Sequence, residues 1–111
     1  MKTADYKHFE NLDIRVGTIT EVVEFPKARI PAYKVEIDFG AEFGRLKSSA
    51  QITGLYKKED LVGTQVLAVV NFPKKQIANF LSECLILGIY SKEGVVLLRP
   101  DKQCDNGLKV G

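Results

Sequence analysis

Residues 14–24, IRVGTITEVVE, are the stretch of sequence that decides the fold. Their β-branched content predicts one long strand, but the apolar side chains switch from even to odd positions between Val16 and Ile19. Because side chains in a strand alternate with a period of two, this switch requires an extra residue. We therefore expect a bulge or sharp coil near Gly17 and Thr18, which bends the strand.

More strands are expected on the C-terminal side of this stretch. Residues 33–39, YKVEIDF, alternate between apolar and charged side chains, which is the pattern of a strand with one face in water. Further strands are predicted at residues 45–49, 65–70, 84–90 and 95–98. A short helix at residues 6–12 is expected to lie on the barrel or sheet, with a second helical segment at 55–61. Residues 71–83 are expected to form a helix or structured loop with Ile77 and Phe80 facing inward.

These elements predict an all-β fold with short helices. Five or six strands, a bent first strand and a helical connection are typical of a small closed barrel, most commonly the OB-fold, a five-stranded Greek-key barrel. A β-sandwich is the alternative architecture. The 111 residues suffice for one core and are too few for two comparable ones, so we expect a single domain over residues 1–111.

Composition and charge exclude several classes of protein. With 45% hydrophobic and 27% charged residues, the chain can bury enough apolar surface to fold, which excludes intrinsic disorder. The net charge of +2 does not support indiscriminate electrostatic binding to nucleic acid or membrane. The longest uncharged stretch, residues 61–73, is shorter than the roughly 20 residues of a transmembrane helix. The N-terminus has no apolar secretory segment, and Cys84 and Cys104 show no disulfide pattern, so we expect a cytoplasmic protein.

The C-terminal strands are apolar on both faces. Six aliphatic residues form the possible outward set: Leu67, Val69, Leu85, Leu87, Val96 and Leu98. Leaving them in water would forgo on the order of 10 kcal/mol, which is comparable with the whole stability of a domain. We therefore expect a homodimer whose interface uses these strands. The alternative is a monomer in which bulges obscure the parity of the side chains.

No arrangement of residues points to catalysis, a metal or a cofactor. His8 is the one histidine, and no neighbour in the sequence positions it as a general base. Two cysteines and one histidine cannot form a tetrahedral metal site, and no Asp cluster has the spacing of a calcium loop. The glycine patterns of nucleotide-binding loops and of nucleophile elbows are absent. We expect no catalytic residue, no metal and no cofactor.

Three polar clusters remain as candidate binding sites. The first, residues 71–76 with Ser82 and Glu83, places two lysines beside an aromatic ring and small polar groups that suit phosphates and a stacked base. The second, residues 47–51, carries serine hydroxyls. The third combines cations with aromatic rings: Lys27, Arg29, Lys34, Phe25 and Tyr33. For each cluster the alternative is an ordinary solvated loop, or, for the serines, a helix cap.

The order of four motifs resembles the tRNA-binding domain family. LDIRVGTI (residues 12–19), SSAQITGLY (48–56), LVGTQVLAVVNF (61–72) and FLSECLILG (80–88) follow one another at compatible spacing. Within that family, EFPKARIPAYKVEIDFG, KSSAQIT, AVVNFP and SECLILG are most similar to the CsaA-type branch of export-related chaperones. The resemblance covers residues 9–111.

The resemblance implies an OB-fold homodimer that binds tRNA-like RNA, and the CsaA-type branch implies binding of unfolded or presecretory polypeptides. It places nucleic-acid contacts on six residues: Ser48, Ser49, Asn71, Lys74, Lys75 and Ser82. Many members of the family carry a Lys or Arg pair followed by Gly, and a further cation, where this chain has Gln76, Asn79 and Leu81. Fewer cations weaken phosphate contact and leave room for peptide binding.

Two functional hypotheses follow. The first is an RNA-binding module, a dimer that presents two loops carrying Lys74 and Lys75 to a folded RNA. The second is a polypeptide-binding chaperone in which large apolar loop residues line a groove: Phe25, Ile30, Tyr33 and Phe72. A scaffold domain without a ligand of its own is a third alternative.

Overall fold

A computed structural model describes all residues 1–111, and a five-stranded antiparallel sheet dominates it. The chain begins with helix α1 (Tyr6–Glu10), strands β1 (Ile14–Glu24), β2 (Tyr33–Asp38) and β3 (Arg45–Ala50), and helix α2 (Lys58–Leu61). It continues with β4 (Gln65–Val69), β5 (Lys75–Ile77), β6 (Phe80–Ser82), β7 (Leu85–Ile86), β8 (Gly88–Tyr90) and β9 (Val95–Leu97). The sheet has the order β3-β2-β1-β4-β7, while β5 with β6 and β8 with β9 form two hairpins.

The two outer strands of the sheet meet, so the sheet is a nearly closed barrel. The backbone N–H groups of Glu83 and Cys84, just before β7, donate to the carbonyl of Lys47 in β3 at 2.7 and 3.2 Å. Closure of this kind hides the sheet edges from solvent. The all-β, five-stranded OB-fold expected from the sequence is confirmed, and the β-sandwich alternative is not the structure.

Strand β1 has the bounds expected from the sequence, but its irregularity lies elsewhere. The register with β2 shifts between Ile19 and Glu21, so the expectation of a bulge near Gly17 and Thr18 was wrong in position. At Thr18 the strand changes neighbours, because its first half pairs with β4 and its second half with β2.

Gly17 lies where β1 passes closest to the core. It pairs with the fully buried Val66, and a Cβ atom at Gly17 would lie 2.5 Å from Cγ2 of Ile37 and 2.8 Å from the ring of Phe39. Its neighbour Val16 points to the opposite, outer face of the sheet and is buried all the same. Both faces of this part of β1 are therefore covered, which explains the early switch of parity in the sequence.

The main core fills the barrel and draws on β1 to β4, β9 and α2. The largest fully buried apolar side chains of the whole chain are Phe39, Ile19, Ile37, Leu61, Val35, Val66 and Val69. All of them except Val69 belong to this core. Strand β2 alternates between buried and half-buried positions along its whole length, as its sequence predicts.

Three other elements differ from expectation. Helix α1 ends at Glu10 and buries none of its residues, so the expected packing of this helix on the barrel is wrong. Residues 84–90 form two short strands, β7 and β8, rather than one. Residues 71–83 contain the β5–β6 hairpin rather than a helix, with Ile77 and Phe80 only half-buried. None of the helices has the length and apolar character needed to cross a lipid bilayer.

The C-terminal segment pairs with the free edge of β1. The N–H of Gly107 donates to the carbonyl of Val16 at 2.8 Å, and the N–H of Val16 donates to the carbonyl of Leu108 at 3.0 Å. The buried side chain of Gln65 donates to the carbonyl of Cys104 at 2.6 Å and accepts from its N–H at 3.1 Å. These bonds make the C-terminal segment an integral part of the barrel.

The outward aliphatic residues of the C-terminal strands divide into two groups. Within the single chain Val69 is buried, and three others are half-buried: Leu67, Leu87 and Leu98. The remaining two are exposed, as are two residues of β8, and we call the four residues the apolar patch: Leu85, Ile89, Tyr90 and Val96. The patch wraps around the β8–β9 hairpin, because Ile89 and Val96 lie on one of its faces and Tyr90 on the other. The chain therefore covers part of the apolar surface itself and leaves the patch open.

Candidate functional site

Three adjoining cavities meet at Ser49, near the end of β3. The first, about 280 Å³, lies between the loop after β1 and the tip of the β5–β6 hairpin. The second, about 240 Å³, lies between the base of that hairpin and Phe72. The third, about 420 Å³, extends to Leu85 and Tyr90 of the apolar patch. We call the three cavities together the Ser49 groove.

The Ser49 groove combines apolar and cationic side chains. Its apolar lining includes Ile30, Ile77, Ala78, Phe72, Pro73 and Leu85. Its cations are Lys27, Arg29 and Lys75. None of these three cations makes a salt bridge, so their charges are available to a ligand. A surface of this kind can hold phosphates at its rim and flat or apolar groups between them.

The β5–β6 hairpin is held to β3 at its base and to the loop after β1 near its tip. At the base, the N–H of Ser49 donates to Oγ of Ser82 at 3.2 Å. Near the tip, the ring of Phe80 packs edge to face on Phe25. The ammonium of Lys34 lies 4.9 Å from the centroid of the Phe25 ring and 5.7 Å from that of Phe80, so a cation–π contact joins the two elements.

The turn of this hairpin is strained. Ala78 has φ +51°, the left-handed region that favours glycine, and it is the one non-glycine residue of the chain with positive φ. The sequence therefore lacked the usual Asn-Gly or Gly-X signal of a two-residue hairpin, and the hairpin was missed for that reason.

The two adjacent lysines of the groove differ in their surroundings. Nζ of Lys74 lies 3.5 Å from Oε2 of Glu83, while Lys75 has no acidic partner. The other carboxylate oxygen of Glu83 accepts from the N–H of Lys47 at 3.1 Å. Lys75 is thus the free cation of the pair, and Lys74 is partly neutralised.

Three of the residues predicted from the sequence to touch a ligand are buried and lie outside the Ser49 groove. Ser48 pairs with Val35 across the sheet and faces the barrel interior, where its hydroxyl donates to the carbonyl of Ser49. The hydroxyl of Tyr33 donates to the carbonyl of Tyr56 at 2.8 Å. Phe25 is 4% exposed beneath its contact with the hairpin. Phe25 and Tyr33 line a separate cavity of about 390 Å³ beside the loop after β1, and none of the three residues lines the Ser49 groove.

Two further predicted contact residues are already occupied by other bonds. Oδ1 of Asn71 accepts from the N–H of Asp13 at 2.9 Å, and Nδ2 donates to the carbonyl of Asn11 at 2.7 Å. This side chain fastens the segment after α1 to the end of β4. Ser82 is 9% exposed and lines the second cavity, and its Oγ accepts from the N–H of Ser49, as described above. Both residues support the site from beneath or beside it.

The remaining predicted residues lie in or beside the groove. Ser49 is half-buried and lines all three cavities, and Lys75 lines two of them. Ile30 and Phe72 are exposed in different walls of the groove. Lys74 is exposed beside it, in its ion pair with Glu83. The structure thus brings together five of the ten residues in a form that a ligand can reach.

Sequence reasoning placed Gln51 in the second polar cluster but did not name it as a ligand contact, and it predicted no ligand contact at four other lining residues: Ile77, Ala78, Leu85 and Tyr90. Gln51 was detectable, because alternation along β3 places it on the same face as Ser49. The others belong to the hairpin and the apolar patch, whose positions depend on pairing between distant segments.

Cys84 lies at the seam where the barrel closes. Burial, and secondly the carboxylate of Glu83, raises the pKa of the Cys84 thiol from an ordinary value of 9.0 to about 12. Cys84 and Cys104 are both free, and no group of three or more His, Cys, Asp or Glu side chains comes together to hold a metal ion. The Cys84 thiol is therefore neutral at neutral pH and unsuited to nucleophilic chemistry.

Comparison with known proteins places the chain among binding domains. The sequence model of the family described as "Putative tRNA binding domain" matches residues 14–109. The methionine–tRNA ligase of Methanocaldococcus jannaschii is 37% identical over 111 residues, which are 99% of this chain and 17% of that enzyme. The corresponding ligase of Pyrococcus furiosus is 34% identical over 110 residues, 15% of its length. This chain therefore spans only a small part of these curated relatives.

Two solved structures share both sequence and fold with this chain. The chaperone CsaA from Bacillus anthracis str. Ames is 50% identical and superposes with a TM-score of 0.93, covering 99% of this chain and 100% of that one. The CsaA chaperone protein from Picrophilus torridus is also 50% identical, with a TM-score of 0.94, covering 98% and 100%. The chain accordingly belongs to the tRNA-binding domain family and, within it, to the CsaA type.

Proposed function

We propose that this chain is a non-catalytic RNA-binding domain that takes tRNA or another structured RNA in the Ser49 groove. The observation that carries the proposal is the set of unpaired cations, Lys27, Arg29 and Lys75, around an apolar groove in a chain of the tRNA-binding domain family. We place this RNA-binding protein in the cytoplasm, as a single domain of residues 1–111.

Each accessible residue of the groove has a proposed role. Lys75, Lys27 and Arg29 neutralise phosphates, and Lys74 adds to them only when its ion pair with Glu83 opens. The hydroxyl of Ser49, which donates no hydrogen bond within the chain, binds a phosphate or a base edge. The exposed ring of Phe72 stacks on an unpaired base. Asn71 and Ser82 hold the walls in place, and Ser48 has no part in binding.

A salt titration tests this proposal. If about three to five phosphates are neutralised by two chains, the association constant for tRNA falls with salt on a log–log slope of about −2 to −4. Lys75→Ala then makes the slope shallower by about 0.7 to 0.9 for each groove engaged. Lys102→Ala is the matched control, since Lys102 is exposed and lines none of the three cavities. The proposal is contradicted if tRNA binding does not depend on salt concentration, or if Lys75→Ala and Lys102→Ala change the slope equally.

We propose further that two chains associate through the apolar patch. Leu85 and Tyr90 belong to both the patch and the Ser49 groove, so association here sets the two grooves close to each other. The unburied helix α1 carries exposed Tyr6 and Phe9, which a second chain can also cover.

The oligomeric state is tested with Ile89→Asp. Ile89 is 52% exposed in the single chain, so an aspartate there preserves the fold but places a charge in the proposed interface. We expect light scattering to report a dimer for the native chain and a monomer for the variant. The salt slope for tRNA falls by about half in the monomer. A native chain that is monomeric at micromolar concentration contradicts the dimer and leaves the groove proposal standing.

A second candidate function is the binding of unfolded or presecretory polypeptides. It is favoured by the apolar lining of the groove, with Ile30 and Phe72 exposed, and by the 50% identity to two chaperones. The test is suppression of aggregation of a denatured protein at high salt, where RNA-type contacts are screened. We expect Ile30→Asp to abolish it, with Val62→Asp, another exposed aliphatic residue outside the groove, as the control. No suppression by the native chain rejects this second function.

A further inference from the structure

Glu83 is the one acidic side chain that lines the Ser49 groove. Its side chain is 20% exposed, and Oε2 lies 3.5 Å from Nζ of Lys74. An anion therefore already sits against one of the two lysines that the family resemblance assigns to phosphate binding. An RNA phosphate and this carboxylate require the same ammonium group.

The carboxylate of Glu83 cannot move far from this position. Its Oε1 accepts from the N–H of Lys47 at 3.1 Å, and the N–H of Glu83 itself donates to the carbonyl of Lys47 at 2.7 Å. The next residue, Cys84, donates to the same carbonyl. Glu83 is thus fixed to β3 on both its backbone and its side chain, while Lys74, 61% exposed, is the mobile partner.

We propose that Glu83 sets the RNA affinity of the groove by competing with phosphate for Lys74, an inference that rests on the function proposed above. A phosphate that approaches Lys74 must either displace the carboxylate or bind beside a fixed negative charge. Because Glu83 already neutralises Lys74, this lysine neutralises little phosphate charge and releases few of the cations condensed on the RNA, so it adds little to the salt dependence of binding. Lys75 carries most of that dependence.

The test is Glu83→Gln, which removes the charge and keeps an oxygen for the N–H of Lys47. With Lys74 freed, the Kd for tRNA decreases about 3- to 10-fold at low salt. The log–log salt slope becomes steeper by about 0.7 to 0.9 for each groove engaged. Glu42→Gln is the matched control, because Glu42 is exposed, lines none of the three cavities and makes no salt bridge. It changes the net charge equally and leaves the slope unchanged.

Substitution of Lys74 gives a second measurement that does not depend on Glu83→Gln. In the native background Lys74→Ala changes the salt slope much less than Lys75→Ala does. In the Glu83→Gln background Lys74→Ala removes the whole gain in affinity and slope, because the two residues are coupled. This non-additivity distinguishes competition for Lys74 from a general effect on the fold.

Several outcomes overturn the inference while the proposed function stands. In the first, tRNA binding by the native chain depends on Lys75 but is unchanged by Glu83→Gln. In the second, Lys74→Ala and Lys75→Ala have equal effects in the native background. In the third, Glu42→Gln tightens tRNA binding as much as Glu83→Gln does. A weaker tRNA affinity in Glu83→Gln also overturns it, because competition for Lys74 requires tighter binding once the carboxylate is removed. If the native chain does not bind tRNA in a salt-dependent way, the proposed function itself is rejected.

Discussion

The ring of Phe80 in the β5–β6 hairpin packs edge to face on the ring of Phe25 in the loop after β1, with their centroids 5.5 Å apart. The ammonium of Lys34 lies against both rings. Because the hairpin and the loop each form a wall of the Ser49 groove, this contact sets the distance between the two walls.

Phe80→Ala is expected to loosen the groove as well as the fold. Loss of the aromatic contact and of half-buried surface lowers the free energy of unfolding by about 1 to 2 kcal/mol. The tRNA affinity falls with it, because the hairpin is no longer held. Chemical denaturation and tRNA titration measure the two effects. Phe72→Ala is the control: it changes stability by less than about 0.5 kcal/mol but removes a stacking surface worth about 1 to 3 kcal/mol in binding. Unchanged tRNA binding in Phe80→Ala contradicts the role of this contact.

Asn71→Ala is expected to release the N-terminal segment without a direct loss of RNA contact. The substitution removes the hydrogen bonds to Asp13 and Asn11, each worth about 0.5 to 1.5 kcal/mol. Hydrogen exchange at the N–H of Asp13 becomes faster, while the tRNA affinity changes less than about twofold. Asn79→Ala, at the hairpin turn, leaves that exchange rate unchanged. A large loss of affinity with no change in exchange would instead make Asn71 an RNA contact.

The Cys84 thiol predicts a specific pH dependence of stability. Its pKa is about 12 in the folded chain and 9.0 when exposed, so the unfolded state loses its proton first as pH rises. The contribution of Cys84 to the free energy of unfolding is fully present below pH 9 and decreases by about 1.4 kcal/mol per pH unit between pH 9 and 12. The measurement is the difference in unfolding free energy between the native chain and Cys84→Ala across this range, which cancels the titration of lysines. A difference that is constant with pH rejects the prediction.

Gly17→Ala is expected to be strongly destabilising for steric reasons. Its Cβ would overlap Ile37 and Phe39 in the core, which costs about 1 to 3 kcal/mol or more. Gly63→Ala separates this effect from backbone strain, because Gly63 has φ +89° but open space around its Cβ position. We expect it to cost only about 1 kcal/mol. Equal losses in thermal denaturation of the two variants would contradict the close approach of β1 to β2.

The choice of site residues shows where reasoning from the sequence succeeded and failed. Ser48 and Ser49 were predicted to act together, yet neighbouring residues of a strand point to opposite faces, and only Ser49 reaches the groove. Lys74 and Lys75 were predicted to act as a pair, but the structure shows that their surroundings differ because of Glu83, nine and eight residues away in the chain. That residue reaches Lys74 only because the hairpin folds back.

The sequence could not predict which of the apolar residues proposed to bind polypeptide are exposed. Ile30 and Phe72 are open to solvent, whereas Phe25, in the same loop as Ile30, and Tyr33, at the start of β2, are buried. A hydrophobic side chain in a loop carries no period, so only its tertiary contacts, with Phe80 in one case and Tyr56 in the other, decide which way it faces.

Alternation with one wet face was sufficient to place β2, and β-branched content with flanking turn residues was sufficient to place β1, β3 and β4, because these are local properties of the chain. The order of the four sequence motifs was sufficient to identify the family. Four features were determined only by the tertiary structure: the position of the bulge, the β5–β6 hairpin, the covering of β1 by the C-terminal segment and the ion pair of Lys74. Each depends on contacts between segments far apart in sequence, whose energies no local pattern records.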